Sequence, residues 1–232
     1  MDSIPEVYSQ MRVYKFLDAQ SGLKSLHKKR LKISRIDDLN DPFELLPYDH
    51  TDPNLRQAFI KTRDDVGLDR GVLCFSADWS DPVIWAHYSD KHRGLCLGFE
   101  IPAIQQDPKN DEIMKVKYES KPLPFPNDYL SLAPDQWPAV VQTVLSTKFE
   151  NWKYEKEIRM WVPLLEKERE GELYFLNFGE NLQLVEVILG VRYPHPASTV
   201  LQELGPLASN VSVIKARAAH NAFEMVEDEE FH

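Results

Sequence analysis

GVLCFSADWSDPVIWAHYSDKHRGLCLGFE, running from Gly71 to Glu100, sets the reading of the whole chain. Gly71 to Ser76 is a compact apolar run with β-branched and aromatic residues, which predicts a buried strand. Ser80 and Asp81 ahead of Pro82 mark a helix start, with the acidic residue as N-cap and proline in the first turn. The spacing predicts a helix from Val83 to about His92, stopped by Gly94. Leu95, Leu97 and Phe99 then alternate with Cys96, Gly98 and Glu100, a strand period. On the helix, Trp85, Tyr88, Ser89 and His92 share a face, with His87 at its edge. Aromatic, hydroxyl and imidazole groups on an inward face are read either as core residues with one hydrogen bond each or as the wall of a pocket.

Outward from this segment the chain alternates short elements. Arg12 to Leu17 is a predicted strand after a loose lead-in over 1–10. Ser21 is read as capping a helix to about Lys29, and Leu31 to Ser34 as a second strand. Asp37 to Glu44 is rich in turn residues and is expected to carry Phe43 into the body. Asp52-Pro53 opens a charged helix to about Arg63. A loop over 107–111 leads to a strand over 113–118, and Pro122, Pro124 and Pro126 mark an exposed connection. Trp137, Val141, Val144, Leu145, Phe149 and Trp152 keep the helical period, predicting one long helix to about Tyr154. Glu155 to Val162 switches to period two, with Ile158, Met160 and Val162 on one face and Glu157, Arg159 and Trp161 on the other. Strands are expected over 173–178, 184–191 and 211–216, a helix over 196–204, and a frayed acidic tail over 224–232. Strands outnumber helices without βαβ alternation. The expected fold is α+β, a single domain with an antiparallel or mixed split sheet and flanking helices.

The chain has 232 residues, 43% hydrophobic and 28% charged, enough for a sizeable core. A formal charge of −10 argues against general binding of phosphate backbones. The one dense basic segment is His27 to Arg30 with Lys32 and Arg35. Cys74 and Cys96 are the only cysteines and fall in predicted strands. Free thiols in a reducing compartment is the first reading, and a bridge between adjacent strands stays open. No CxxC or HExxH spacing, signal peptide or membrane-length apolar run is present, so a cytoplasmic protein without a membrane partner is expected.

Tyr14-Lys15, Ser76 with His87 and Tyr88, and Glu155 or Glu157 are polar where the pattern expects apolar residues. Glu157 beside Arg159 also reads as a cross-strand ion pair. The runs VYKF, LKISRIDDLNDPFE, CFSADWSDPVIWAHYSDKHRGLCLGFE and KFENWKYEKEIRMWV, between Val13 and Val162, resemble the DUF2971 proteins, a bacterial family of uncharacterised function. The order of features is also similar to that of ADP-ribosyltransferase-like domains, in particular the DarT group of DNA-modifying toxins. That second resemblance implies NAD held in the cleft of a split sheet. It places a first-strand polar residue (Tyr14 or Lys15) on the cofactor, a middle strand ending in Ser76 that leads to Tyr88, and a glutamate (Glu155 or Glu157) at the acceptor. The first-strand His or Arg of that group is absent here, and Lys15 stands nearby.

The candidate catalytic residues are therefore Glu157, Glu155, Tyr88 and His87. The candidate cofactor-binding residues are Tyr14, Lys15, Asn40, Asp41, Phe43, Ser76, Trp85 and Arg159, with NAD as the cofactor and no metal. The implied function is an ADP-ribosyltransferase or NAD glycohydrolase of a phage-defence or toxin system, binding a small nucleotide and modifying a protein or nucleic-acid acceptor. Two alternatives stand beside it: a non-catalytic ligand- or protein-binding sensor, and a metal-dependent nuclease using Asp38, Asp41 and Glu44.

Overall fold

The computed structural model describes residues 10–102, 112–125 and 132–231. In chain order the elements are β1 (Gln10–Leu17), α1 (Ala19–Lys28), β2 (Arg30–Ile33), α2 (Pro53–Asp69), β3 (Arg70–Ser76), α3 (Pro82–Tyr88), β4 (Leu95–Pro102), β5 (Glu112–Lys115) and β6 (Lys117–Glu119). They continue with α4 (Trp137–Ser146), β7 (Thr147–Phe149), β8 (Glu157–Pro163), β9 (Glu168–Glu170), β10 (Leu173–Asn177), β11 (Gln183–Leu189), α5 (Ala197–Leu204), β12 (Ser212–Ala218) and β13 (Met225–Glu227). The fold is α+β. Eight strands form one sheet in the order β13-β12-β11-β4-β1-β3-β8-β5, mixed because β11 and β12 run parallel. β2, β10 and β9 make a smaller sheet, and β6 pairs with β7.

The large sheet is not evenly bonded. β1 aligns with β4 along its whole length, from Gln10↔Pro102 to Leu17↔Leu95. Against β3 it aligns at a single position, Tyr14↔Ser76. β3 in turn aligns with β8 from Arg70↔Pro163 to Ser76↔Glu157. The sheet is thus two well-paired halves joined at one point, and one row of partners crosses the join: Gly98, Tyr14, Ser76 and Glu157. Directly opposed residues point to the same face. Gly98 leaves room for that row, since a Cβ there would stand 3.0 Å from the Glu186 side chain and 3.4 Å from the Tyr14 ring.

One face buries Val13, Leu73, Phe75, Leu97, Phe99, Ile158 and Met160 against Leu26 of α1, Val200 and Leu204 of α5, and Leu31 and Ile33 of β2. Each fully buried side chain of this size contributes about 1.5–3 kcal/mol. The opposite face carries two separate clusters. Phe16, Cys96 and Ile188 pack under Ile84 and Trp85 of α3. Val72, Met114 and Trp161 pack under Phe59 of α2 and Val144 and Leu145 of α4. Between those clusters the second face opens at the join.

The central segment forms as the sequence indicates, with Asp81 accepting from the Val83 amide at 2.7 Å as the N-cap. The helix is shorter than expected. It ends at Tyr88 because Asp90, Lys91 and His92 take left-handed φ values of 41°, 55° and 68°. That turn delivers Gly94 against β1, where an added Cβ would lie 2.0 Å from the Leu17 carbonyl.

Other expectations are corrected. Asp18, not Ser21, caps α1, and α2 runs to Asp69 rather than Arg63. The long helix to Tyr154 does not exist: α4 stops at Ser146, β7 pairs in parallel with β6, and a 3-10 turn covers Glu150–Glu155. The strand expected over 113–118 is two strands, β5 on β8 and β6 on β7. The tail over 224–231 is tied down, since β13 pairs with β12 and the Met225 amide donates to the Ser80 carbonyl at 2.7 Å. The lead-in before Gln10 and the loop over 107–111 lie outside the described residues. Cys74 and Cys96 are both free, and β1 runs between their strands, which excludes the bridge. Among the described residues no helix is long and apolar enough to cross a membrane.

Candidate active site

A cleft of ≈ 390 Å³ lies at the join of the two half-sheets. That volume is within the range of small-molecule sites. Tyr14 and Lys15 of β1, Ser76 of β3, His87 and Tyr88 of α3, and Asn40 from the loop after β2 line it. Glu155, Glu157, Glu44 and Lys148 close one wall.

That wall is a buried charge cluster. The Lys148 ammonium donates to Glu155 Oε2 at 2.6 Å and to Glu157 Oε2 at 3.0 Å, and stands 3.5 Å from Glu44. Arg159 donates through Nε to Glu157 Oε1 at 2.8 Å, through Nη2 to Glu44 at 2.8 Å, and through Nη1 to the Leu145 carbonyl at 3.1 Å. All five side chains are at most 8% exposed. Charges taken this far out of water survive only when paired and hydrogen-bonded. Three carboxylates face two cations, so the cluster is neutral when one acid keeps its proton. Burial pushes the carboxyls of Glu44 and Glu155 up despite the pull of the cations. At Glu157 burial is outweighed by Arg159 and Lys148, which hold the carboxyl at about 2. Lys148 stays charged because its three carboxylate neighbours outweigh its burial.

The cleft side of the cluster is a relay of hydroxyls. Asn40 Nδ2 donates to Tyr88 Oη at 3.1 Å, and Tyr88 Oη donates to Glu155 Oε1 at 2.5 Å. Burial and the adjacent Glu155 carboxylate push the Tyr88 phenol well up, so it acts as a donor. His87 Nδ1 lies 2.7 Å from Tyr154 Oη, and burial with Glu155 pushes that phenol up to about 12. The Tyr118 hydroxyl accepts the Glu157 amide at 2.8 Å, fixing the start of β8.

Of the residues singled out from sequence, Tyr14, Lys15, Asn40, Ser76, His87, Tyr88, Glu155 and Glu157 meet at this cleft. Ser76 is already engaged, donating to the Asp78 carbonyl at 2.6 Å and accepting the Asp78 amide at 3.1 Å. Arg159 stands behind Glu157 and does not line the cleft. Glu157 and Arg159 do form an ion pair, but it runs along β8 at 2.8 Å and is not the cross-strand pair expected. Trp85 is no pocket wall: it is fully buried, edge-on to Phe16 with ring centroids 5.0 Å apart, and its indole donates to the Trp79 carbonyl at 2.6 Å. Phe43 is not carried inward but is 62% exposed. Asp41 is a turn residue whose carboxylate accepts the Phe43 amide at 2.9 Å. Glu155 is not on the strand, because Lys156 turns into the left-handed region at φ 45° and β8 starts at Glu157. The turn still returns the Glu155 carboxylate to the same spot.

Asp38, Asp41 and Glu44 do not form a metal site. Asp38 accepts the Arg35 amide and pairs with Lys32 at 3.1 Å, Asp41 caps its turn, and Glu44 faces Arg159. Among the described residues no group of three metal-ligating side chains occurs. Lys148, at the centre of the cluster, is the residue that sequence reasoning missed. The signal was the β-branched Thr147 beside Lys148 and Phe149, a strand-like triplet hidden at the end of a helical period.

The family model described as "Protein of unknown function (DUF2971)" matches residues 84–160. The DUF2971 resemblance is thereby supported. The matched DUF2971 segment runs from α3 to Met160 of β8, so it carries Tyr88, Lys148, Glu155, Glu157 and Arg159 together. No curated protein and no solved structure matches the chain.

Proposed function

We propose that the cleft binds NAD and that the protein is an ADP-ribosyltransferase or NAD glycohydrolase. The observation that supports this most is convergence: Tyr14, Ser76, Tyr88, Glu155 and Glu157 come from separate segments and line one cavity at the single point where the half-sheets join. The residues present suit the group. Tyr14, His87 and Tyr88 offer aromatic faces to a planar ring. Asn40 and Lys15 offer donors, and Glu155 offers a carboxylate at the cavity wall.

Bound NAD would supply an activated bond between nicotinamide and ribose. As that bond breaks, positive charge develops at the anomeric carbon, and a fixed carboxylate nearby stabilises it. Glu155 is the better placed of the two glutamates. Both oxygens of Glu157 are taken by Arg159 and Lys148, whereas Glu155 is oriented by Tyr88 from the cavity side and Lys148 from behind. The same carboxylate can accept the proton of an incoming nucleophile. The net charge of −10 favours a protein or small-molecule acceptor over a nucleic acid.

The test is nicotinamide release from NAD, followed chromatographically, together with the thermal shift caused by NAD. Release by the wild type and its loss in Glu155→Gln, with the NAD shift retained, is the expected result. Absence of both shift and release would end the proposal. One observation favours a binding module without turnover: every carboxylate of the cluster already faces a cation. An NAD-induced thermal shift without nicotinamide release would select that second reading.

A further inference from the structure

On the face of the sheet opposite the cleft lies a second cavity of ≈ 200 Å³, between α1, β2 and β10. Lys15, on the strand that borders the join of the half-sheets, lines both cavities. Five cations line the second cavity: Lys15, Lys24, Lys28, Arg30 and Lys32, with Ser25 among them. Among the described residues no acidic side chain lines it. In a chain of formal charge −10 such a concentration of one sign is a departure from the background.

The cations are not equivalent. Lys32 pairs with Asp38 at 3.1 Å. Arg30 is 4% exposed, lies 3.8 Å over the Phe175 ring, and pairs with Glu168 and with Glu170 on the solvent side. Its Nε lacks a hydrogen-bond partner. Lys24 and Lys28, one turn apart on α1, have no carboxylate within ion-pair distance among the described residues. Among the described residues the Lys15 ammonium donates to the Cys74 carbonyl at 3.0 Å and enters no ion pair. Three ammonium groups outside any ion pair among the described residues and the Arg30 guanidinium thus border one concavity, with the exposed Glu170 carboxylate acting on Lys24 and Lys28 from its rim. Like charges held together repel one another unless an anion lies between them. The hydroxyls of Ser21 and Ser25, on the same face of α1, add neutral donors.

We propose that this cavity, which shares Lys15 with the cleft, is an anion site that takes a phosphate group of a small nucleotide ligand. The inference deepens the NAD reading and rests on it for what the remainder of the ligand is, while the phosphate chemistry stands on the cations alone. A small ligand fits better than a nucleic acid because a chain of net charge −10 repels an extended polyanion.

The test is calorimetric titration of the whole chain with inorganic pyrophosphate and with ADP, at about 50 mM and about 200 mM salt. Saturable binding of both is expected, weaker at the higher salt. The double variant Lys24→Glu, Lys28→Glu changes two exposed residues. It should melt like the wild type and bind both probes at least about tenfold more weakly. Unchanged binding in the double variant, or no pyrophosphate binding by the wild type, overturns the proposal. Tighter binding of a 5′-phosphorylated oligonucleotide than of ADP overturns its restriction to small ligands. Pyrophosphate binding without any NAD binding keeps the anion site and removes the NAD reading. NAD turnover that the double variant leaves untouched, with pyrophosphate unbound, does the reverse.

Discussion

Lys148 and Glu155 face each other across 2.6 Å at the wall of the cleft, the ammonium on the buried side and the carboxylate reaching the cavity. The contact exists because α4 ends at Ser146 and the chain re-enters as the short strand β7, which directs Lys148 inward beneath β8. A lysine this deep is there for the carboxylates around it, and they depend on it in turn.

Lys148→Met leaves three buried carboxylates with Arg159 as their only cation in the cluster. Removing one partner of a buried ionic group costs about 3–5 kcal/mol. Urea unfolding at pH 7 should show a loss of that order, shrinking as the pH falls and the carboxylates take up protons. A variant as stable as the wild type at pH 7 would mean that Lys148 is replaceable.

Glu157 gives the clearest pH signature. Its carboxyl is held at about 2 in the folded chain against an ordinary 4.5. A depressed acid contributes stability above its unfolded value and loses it as pH falls through its folded value. The stability gap between the wild type and Glu157→Gln should therefore be widest near neutrality and should close between about pH 4.5 and 2. Glu44 and Glu155, whose carboxyls burial raises, act oppositely: their stabilising contribution is full at low pH and lost as pH rises. A gap that widens on acidification would contradict the assignment of charge within the cluster.

Tyr88→Phe removes the hydroxyl that orients Glu155 without changing the ring. NAD binding should persist while nicotinamide release falls about tenfold to a hundredfold, less than for Glu155→Gln, because Lys148 still holds the carboxylate from behind. Equal turnover in wild type and Tyr88→Phe would remove the tyrosine from the site.

Cys74 lines the cleft and Cys96 lies in the core beneath α3. Burial pushes both thiols up, so neither is a ready thiolate. A small maleimide should label Cys74 slowly and Cys96 only after unfolding, and a ligand in the cleft should slow Cys74 further. Rapid labelling of Cys96 in the native protein would contradict its place in the core.

The segment from Gly71 to Glu100 was legible because short-range signals agree there: an apolar run, an Asp-Pro helix start, and then alternation. The far end of α3 was not. Three left-handed residues before Gly94 are set by the close approach of Gly94 to Leu17, a contact distant in sequence. The stretch from Trp137 to Tyr154 misled because its apolar residues keep a helical period while pairing with β6 makes 147–149 a strand. Trp137 and Val141 are 41% and 44% exposed, so half of that period faces solvent. The tyrosine, histidine and glutamate positions were found because polar residues interrupt apolar patterns. Lys148 was hidden because a lysine at a helix end ordinarily reads as solvated. The acidic tail forms β13 through the burial of Met225, which its charge-rich neighbours masked.

The most direct measurement is calorimetric titration of the wild type and of Glu155→Gln with NAD, followed by assay of the same samples for nicotinamide. One saturable site in both proteins, with nicotinamide released by the wild type alone, is the expected result. No heat of binding in either protein and no nicotinamide would contradict an NAD site at the join of the two half-sheets.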